Sequence, residues 1–170
     1  MIIRLATLSD AKGIAKVHVD SWRSTYTSII PDDYLYGLSY EGREKLWEDN
    51  MSKSKVYVAE SESGEIVGFS TGGKERSEKY KDFTGELYAI YILKEYQGQG
   101  IGKKLMNPVI NDLIKLDIFS MIVLVLEKNS SRYFYEAIGG KQIDLLEIKM
   151  AGQKLNEVVY GWNDIRLLSV

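Results

Sequence analysis

The 170-residue chain carries 22 Lys+Arg against 24 Asp+Glu, a formal charge of −2, and no cysteine. Its size suits one compact domain with its own core, and 45% hydrophobic with 27% charged residues excludes disordered, collagenous and coiled-coil classes. The lack of cysteine removes disulfides, thiolate metal sites and a cysteine nucleophile, and a single histidine removes a multi-histidine metal site.

No metal is therefore expected. The near-balanced charge argues against a nucleic-acid partner. The longest apolar run, Leu87 to Leu93, falls far short of the ~20 residues that cross a bilayer, so no membrane partner is expected. The start, Met1 to Leu5, is too short for a secretory signal and reads as a first strand. The expectation is a cytoplasmic protein with one domain over residues 1–170.

Ile3 to Ala6 reads as a short strand, and Ser9-Asp10 supplies an N-cap and an early negative charge for a helix from Ala11. Ile14, Val17 and Ser21 follow at helical spacing beside Trp22. Pro31 breaks the next stretch, and a second helix is predicted from Tyr40 to Asn50. From Lys55 the period changes to two: Val56 to Val58 and Glu65 to Thr71 read as strands joined at Ser63-Gly64. Gly72-Gly73 is predicted to end the second, with Lys74 to Asp82 as a polar loop or distorted strand.

Glu86 to Leu93 reads as a strong strand. Gly100 to Leu116 is amphipathic, with Leu105, Val109 and Leu113 four apart and Pro108 expected to bend it. Met121 to Leu126 is apolar on both faces, as in a strand covered on both sides. A short helix from Ser130 to Ile138 ends at Gly139-Gly140, and two strands, Gln142 to Met150 and Leu155 to Trp162, turn at Ala151-Gly152. The order predicts a mixed α/β sheet with helices on its faces.

The stretch Glu86 to Leu105 carries the chemistry. A strand runs into a loop with alternate glycines, Gly98, Gly100 and Gly102, and the loop opens a helix. Glycines allow close backbone approach, and the helix start offers N–H groups and partial positive charge to an anion. A Walker loop fails, because Gln97 stands at its first glycine and Lys104 at its Ser/Thr. The dinucleotide fingerprint fails as well, with Lys103 at its third glycine.

Gln97-x-x-Gly100-x-Gly102 resembles the Q-x-x-G-x-G motif of the GNAT superfamily of acetyl-CoA-dependent N-acetyltransferases. Asn129-Ser-Ser-Arg-Tyr-Phe-Tyr-Glu136 before Gly139-Gly140 looks like a second motif of that family, and the element order is similar throughout. The resemblance implies a mixed, mostly antiparallel sheet of about seven strands flanked by helices, with a splay between strands four and five. It implies acetyl-CoA as cosubstrate. The amides of Gln97, Gly98, Gln99, Gly100, Ile101, Gly102 and Lys103 would then hold the pyrophosphate. Main-chain groups of Ile90, Tyr91 and Ile92 would pair with the pantetheine arm, Asn129 would contact it, and Tyr135 would lie near the thioester sulfur.

Acetyl transfer needs a neutral amine, and freeing one at pH 7 costs roughly 4 kcal/mol because its pKa lies near 10. Glu86 is the candidate general base, with Tyr88 on its strand face; Tyr135 is the candidate acid for the departing thiolate. His18, Trp22 and Tyr26, with Tyr34 and Tyr36 close in sequence, fall where the family binds its acceptor amine. Without cysteine there is no cysteine acyl-enzyme, which favours direct attack by the amine. A non-catalytic acyl-CoA sensor on the same fold is the alternative; it needs neither Glu86 nor Tyr135. A homodimer through the late strands is the family's usual assembly.

Overall fold

The structure is a computed structural model that describes residues 1–168. Its strands are β1 (Ile2–Leu5), β2 (Val56–Glu60), β3 (Ile66–Lys74), β4 (Gly85–Ile92), β5 (Met121–Leu126), β6 (Lys141–Met150) and β7 (Gln153–Trp162). Its helices are α1 (Ala11–Tyr26), α2 (Asp32–Tyr36), α3 (Tyr40–Lys53), α4 (Ile101–Lys115) and α5 (Arg132–Ala137). The seven strands hydrogen-bond in the order β1-β2-β3-β4-β5-β7-β6. The β4–β5 pair is parallel; β1–β2, β2–β3, β5–β7 and β6–β7 are antiparallel. The parallel ladder joins Gly85, Glu86 and Leu87 to Met121, Ile122 and Val123, and β4 continues beyond it from Tyr88 to Ile92.

By its contacts the chain divides into two compact units, Met1–Gly72 with Ala89–Val109, and Gly73–Tyr88 with the residues from Ile110 onward. In the first unit, Ile14 and Val17 of α1, Trp47 of α3, Val56 and Val58 of β2, Phe69 of β3 and Leu105 of α4 form a buried cluster. Each such side chain contributes roughly 1.5–3 kcal/mol by leaving water. Ser70 sits in this apolar setting with its hydroxyl donated to the Leu105 carbonyl at 2.8 Å, so its burial leaves no polar group unmet. The approach to α1 differs from the expected cap. The Asp10 side chain makes no cap bond to α1; it accepts from the Thr7 amide at 2.7 Å and from both terminal nitrogens of Arg4 at 2.8 and 2.9 Å. That guanidinium holds the Asp10 carboxyl down at about 2.

In the second unit β5 is buried on both faces except at Leu124, as its continuous apolar run predicts. The β6–β7 hairpin closes through Ala151 (φ 49°) and Gly152 (φ 77°), the doubly left-handed pair that suits strand twist. Two expectations need correction. Gly72-Gly73 does not end β3, which runs to Lys74: a side chain on Gly73 would meet the Tyr88 hydroxyl at 2.6 Å, so this glycine serves close packing, not chain reversal. The segment after Pro31 also folds into α2, which its length of five residues hid from periodicity. Helix α4 runs through Pro108, which removes one ladder bond without ending it.

Candidate active site

In the first unit the glycine motif forms the predicted turn. Gly98 and Gly100 take φ of +73° and +75°, and a Cβ on either would meet nothing within 4 Å. Backbone conformation therefore selects glycine here, and the turn faces open space. The Gln97 side chain donates to the Ile92 carbonyl at 3.0 Å, tying the turn to the end of β4, and that of Gln99 donates to the Glu95 carbonyl at 3.2 Å in the short turn that follows the strand. The α4 ladder starts with the Lys104 amide on the Gly100 carbonyl at 3.3 Å. Ahead of it lies the first turn of a 15-residue helix, with Ile101, Gly102 and Lys103, where backbone N–H groups and the positive end of the dipole favour an anion. Ile90, Tyr91 and Ile92 belong to the part of β4 beyond its parallel ladder.

The aromatic residues of α1 lie in the same unit. His18 is only 7% exposed and stacks on Tyr91, with ring centroids 5.4 Å apart and planes 9° from parallel. Its Nδ1 accepts from the Trp47 indole N–H at 3.0 Å, which assigns the neutral ring's proton to Nε2. Burial, and secondarily the charge of Arg43, lowers the His18 pKa to about 4, so the ring is neutral at physiological pH. Trp22 meets Tyr26 edge-on at 4.8 Å and Tyr34 at 6.4 Å. Tyr36 stays exposed, beside Arg23.

The second motif falls in the second unit. Asn129 is buried and turns the chain into α5: its Oδ1 accepts from the Ser131 amide at 2.9 Å and the Ser131 hydroxyl at 2.6 Å. Ser131 occupies the N-cap of α5. Tyr135 is 5% exposed and sits among Phe134, Tyr160 and Trp162, the last two with centroids at 6.2 Å. Tyr160 donates to Glu136, and Trp162 donates to the Ile138 carbonyl at 3.1 Å, so β7 holds the C-terminal end of α5. A side chain on Gly140 would meet Trp162 and the Tyr135 carbonyl at 2.8 Å, which is why the motif closes on glycine.

Glu86 is buried in this unit and engaged by Arg76. The Arg76 amide donates to Oε2 at 3.1 Å, its Nε reaches both oxygens at 3.2 Å, and its Nη2 donates to Oε1. The guanidinium also lies 4.1 Å over the Tyr88 ring, whose hydroxyl donates to the Lys74 carbonyl at 2.6 Å. The polar stretch after β3 thus folds back over the sheet. Lys79 and Tyr80 both bond Asp144 of β6, at 2.8 and 2.9 Å, and Phe83 covers Gly161. Between them the Arg76 amide and guanidinium engage both oxygens of Glu86.

The comparisons with known proteins bear on this arrangement. Residues 19–139 match the model of the acetyltransferase (GNAT) family. The chain belongs to that family. It is 44% identical over 166 residues to YuaI of Bacillus subtilis, described as an uncharacterised N-acetyltransferase, covering 98% of this chain and 95% of YuaI. It is 32% identical to the Mycobacterium tuberculosis protein Rv2775, described as a probable N-acetyltransferase, covering 79% and 76%. Among solved structures, the PaiA N-acetyltransferase of Thermoplasma acidophilum with coenzyme A superposes with a TM-score of 0.72 at 20% identity, covering 92% of this chain and 98% of that one.

This acetyltransferase is an acetyl-CoA-dependent enzyme of the GNAT fold, and no helix among its described residues is long and apolar enough to cross a membrane. Sequence reasoning missed Arg76 as the partner of Glu86. The two are ten residues apart around a reversing loop, and neither strand nor helix spacing relates them.

Proposed function

We propose that this acetyltransferase moves the acetyl group of acetyl-CoA directly to a primary amine on a small molecule, as one domain over residues 1–170 working in the cytoplasm. The observation that carries the reading is the left-handed Gly98–Gly100 turn at the start of α4, whose conformation and open surroundings suit a bound pyrophosphate. The amides of Gln97, Gly98, Gln99, Gly100, Ile101, Gly102 and Lys103 hold it; Ile90, Tyr91 and Ile92 pair with the pantetheine arm, and Asn129 contacts it. The coenzyme A bound to PaiA supports this choice of ligand.

The acceptor's ammonium first gives a proton to a carboxylate on the Glu86 face. The free amine then attacks the thioester carbonyl, a C–N bond forms and the C–S bond breaks. The nitrogen's second proton passes to solvent, and Tyr135 protonates the leaving thiolate and recovers its own proton from solvent. With no cysteine in the chain, no acyl-enzyme on sulfur intervenes. His18, Trp22, Tyr26 and Tyr88 bound the amine, their rings offering an apolar and cation-tolerant wall. The edge strand β6, with Leu145 and Ile143 exposed, supports a homodimer through the late strands.

Free-thiol release from acetyl-CoA over a panel of benzylamine, spermidine, L-phenylalanine and an alanine-first hexapeptide tests the reading. Turnover of the small amines supports it. Thiol release with the peptide alone moves the acceptor to protein, and coenzyme binding with no thiol release from any amine favours the sensor.

A further inference from the structure

Glu157 on β7 occupies an unusual position for a carboxylate. It stands opposite Leu126 of β5 on one side and Leu146 of β6 on the other. Paired residues share a sheet face, and side chains alternate along each strand. Ile122 pairs with both Glu86 and Gly161, so Glu86, Ile122, Leu126, Gly161, Val159 and Glu157 all belong to one face. Glu157 is half-buried there, and its carboxylate makes no hydrogen bond or ion pair with any described residue. A partly desolvated carboxylate without a donor costs stability, and such groups gather where they have work to do.

Lys141 of β6 also belongs to that face, opposite Gly161 and four residues along β7 from Glu157, while the face's other carboxylates and its tyrosine are already matched. Glu86 of β4 is held by Arg76, and Asp144 of β6 by Lys79 and Tyr80. Tyr88 of β4 donates to a backbone carbonyl, and β5, with sequence Met-Ile-Val-Leu-Val-Leu, contributes none. Glu157 is the carboxylate of this face that can take a proton without breaking a bond it already makes.

We propose that Glu157, not Glu86, is the general base of the acetyl transfer. It takes one proton from the acceptor's ammonium to become a neutral carboxyl, leaving the amine lone pair free to attack, and returns that proton to water after the product leaves. The Arg76–Glu86 pair keeps the neighbouring charge in place throughout. Burial, and then the charge of Glu86, raises the Glu157 pKa above the ordinary carboxylate range, which brings it nearer to working pH, where a base is most effective. The proposal rests on the reading that the acceptor is a primary amine.

The test compares wild type, Glu157→Gln and Glu86→Gln in the full chain, using the fastest amine of the panel above. Glu157→Gln is expected to lower kcat about 10²–10³-fold at neutral pH, with the KM for acetyl-CoA unchanged. Its residual rate should climb roughly tenfold per pH unit toward the amine's own pKa, as solution deprotonates the acceptor instead. Coenzyme A must still raise the melting temperature of the variant, which shows that it is folded. A Glu157→Gln kcat close to wild type, or a larger loss in Glu86→Gln, overturns the proposal. If wild type acetylates no panel amine, the primary-amine reading fails on its own, and carbon-13 NMR of the glutamate carboxyls decides the inference. A resonance missing in Glu157→Gln that titrates above the ordinary range supports it, and an ordinary titration overturns it.

Discussion

The indole N–H of Trp47 points at Nδ1 of His18 across 3.0 Å, a bond that ties α3 to α1 within the buried aromatic cluster. The acceptor nitrogen exists only while the imidazole is neutral. The His18 pKa falls from 6.5 to about 4 on folding, so between those values the unfolded chain binds the proton more strongly. The stabilisation is complete above pH 6.5 and is lost as pH falls toward 4. Over that window the loss amounts to about 3 kcal/mol. Urea unfolding at a series of pH values should show it, and His18→Gln should flatten the curve. A wild-type curve already flat from 6.5 to 4 would contradict the buried neutral ring.

The Arg76–Glu86 pair is lopsided: the arginine side chain is 61% exposed and the glutamate 6%. Arg76→Ala therefore leaves a buried carboxylate short of its donors, with an expected cost of about 1–3 kcal/mol. In a Glu86→Gln background the same substitution should cost much less, because the uncompensated charge is gone. Equal losses in the two backgrounds, read from denaturant midpoints, would show that Arg76 acts through the loop's own packing.

Gly100 is left-handed with open space around its missing Cβ, so alanine there strains the backbone without a clash. The strain of about 1–2 kcal/mol should distort the turn more than the fold. Calorimetry is expected to show coenzyme A binding about tenfold weaker to Gly100→Ala, with the melting temperature of the unliganded protein little changed. Unaltered affinity would remove this turn from the coenzyme site.

Tyr135 is packed on Tyr160 and Trp162, and phenylalanine preserves that packing. If its hydroxyl protonates the leaving thiolate, Tyr135→Phe should lower kcat about 10- to 100-fold while coenzyme affinity stays the same. A matched fall in coenzyme affinity would instead mark the hydroxyl as a binding group.

Local and repetitive features were legible from the residues alone. The continuous apolar run Met121–Leu126 announced a strand covered on both faces, and alternate glycines before an amphipathic stretch announced the α4 turn, because each depends on near neighbours. Two spaced motifs placed the chain among the GNAT acetyltransferases, and the lack of cysteine set aside a sulfur-borne intermediate. Charge pairing was not legible. Arg76 meets Glu86, Lys79 meets Asp144, and Glu157 is left between two leucines, only because a loop folds back and three strands align in one register. A carboxylate's chemistry depends on what stands a few ångströms away, and those neighbours come from distant segments brought together by folding.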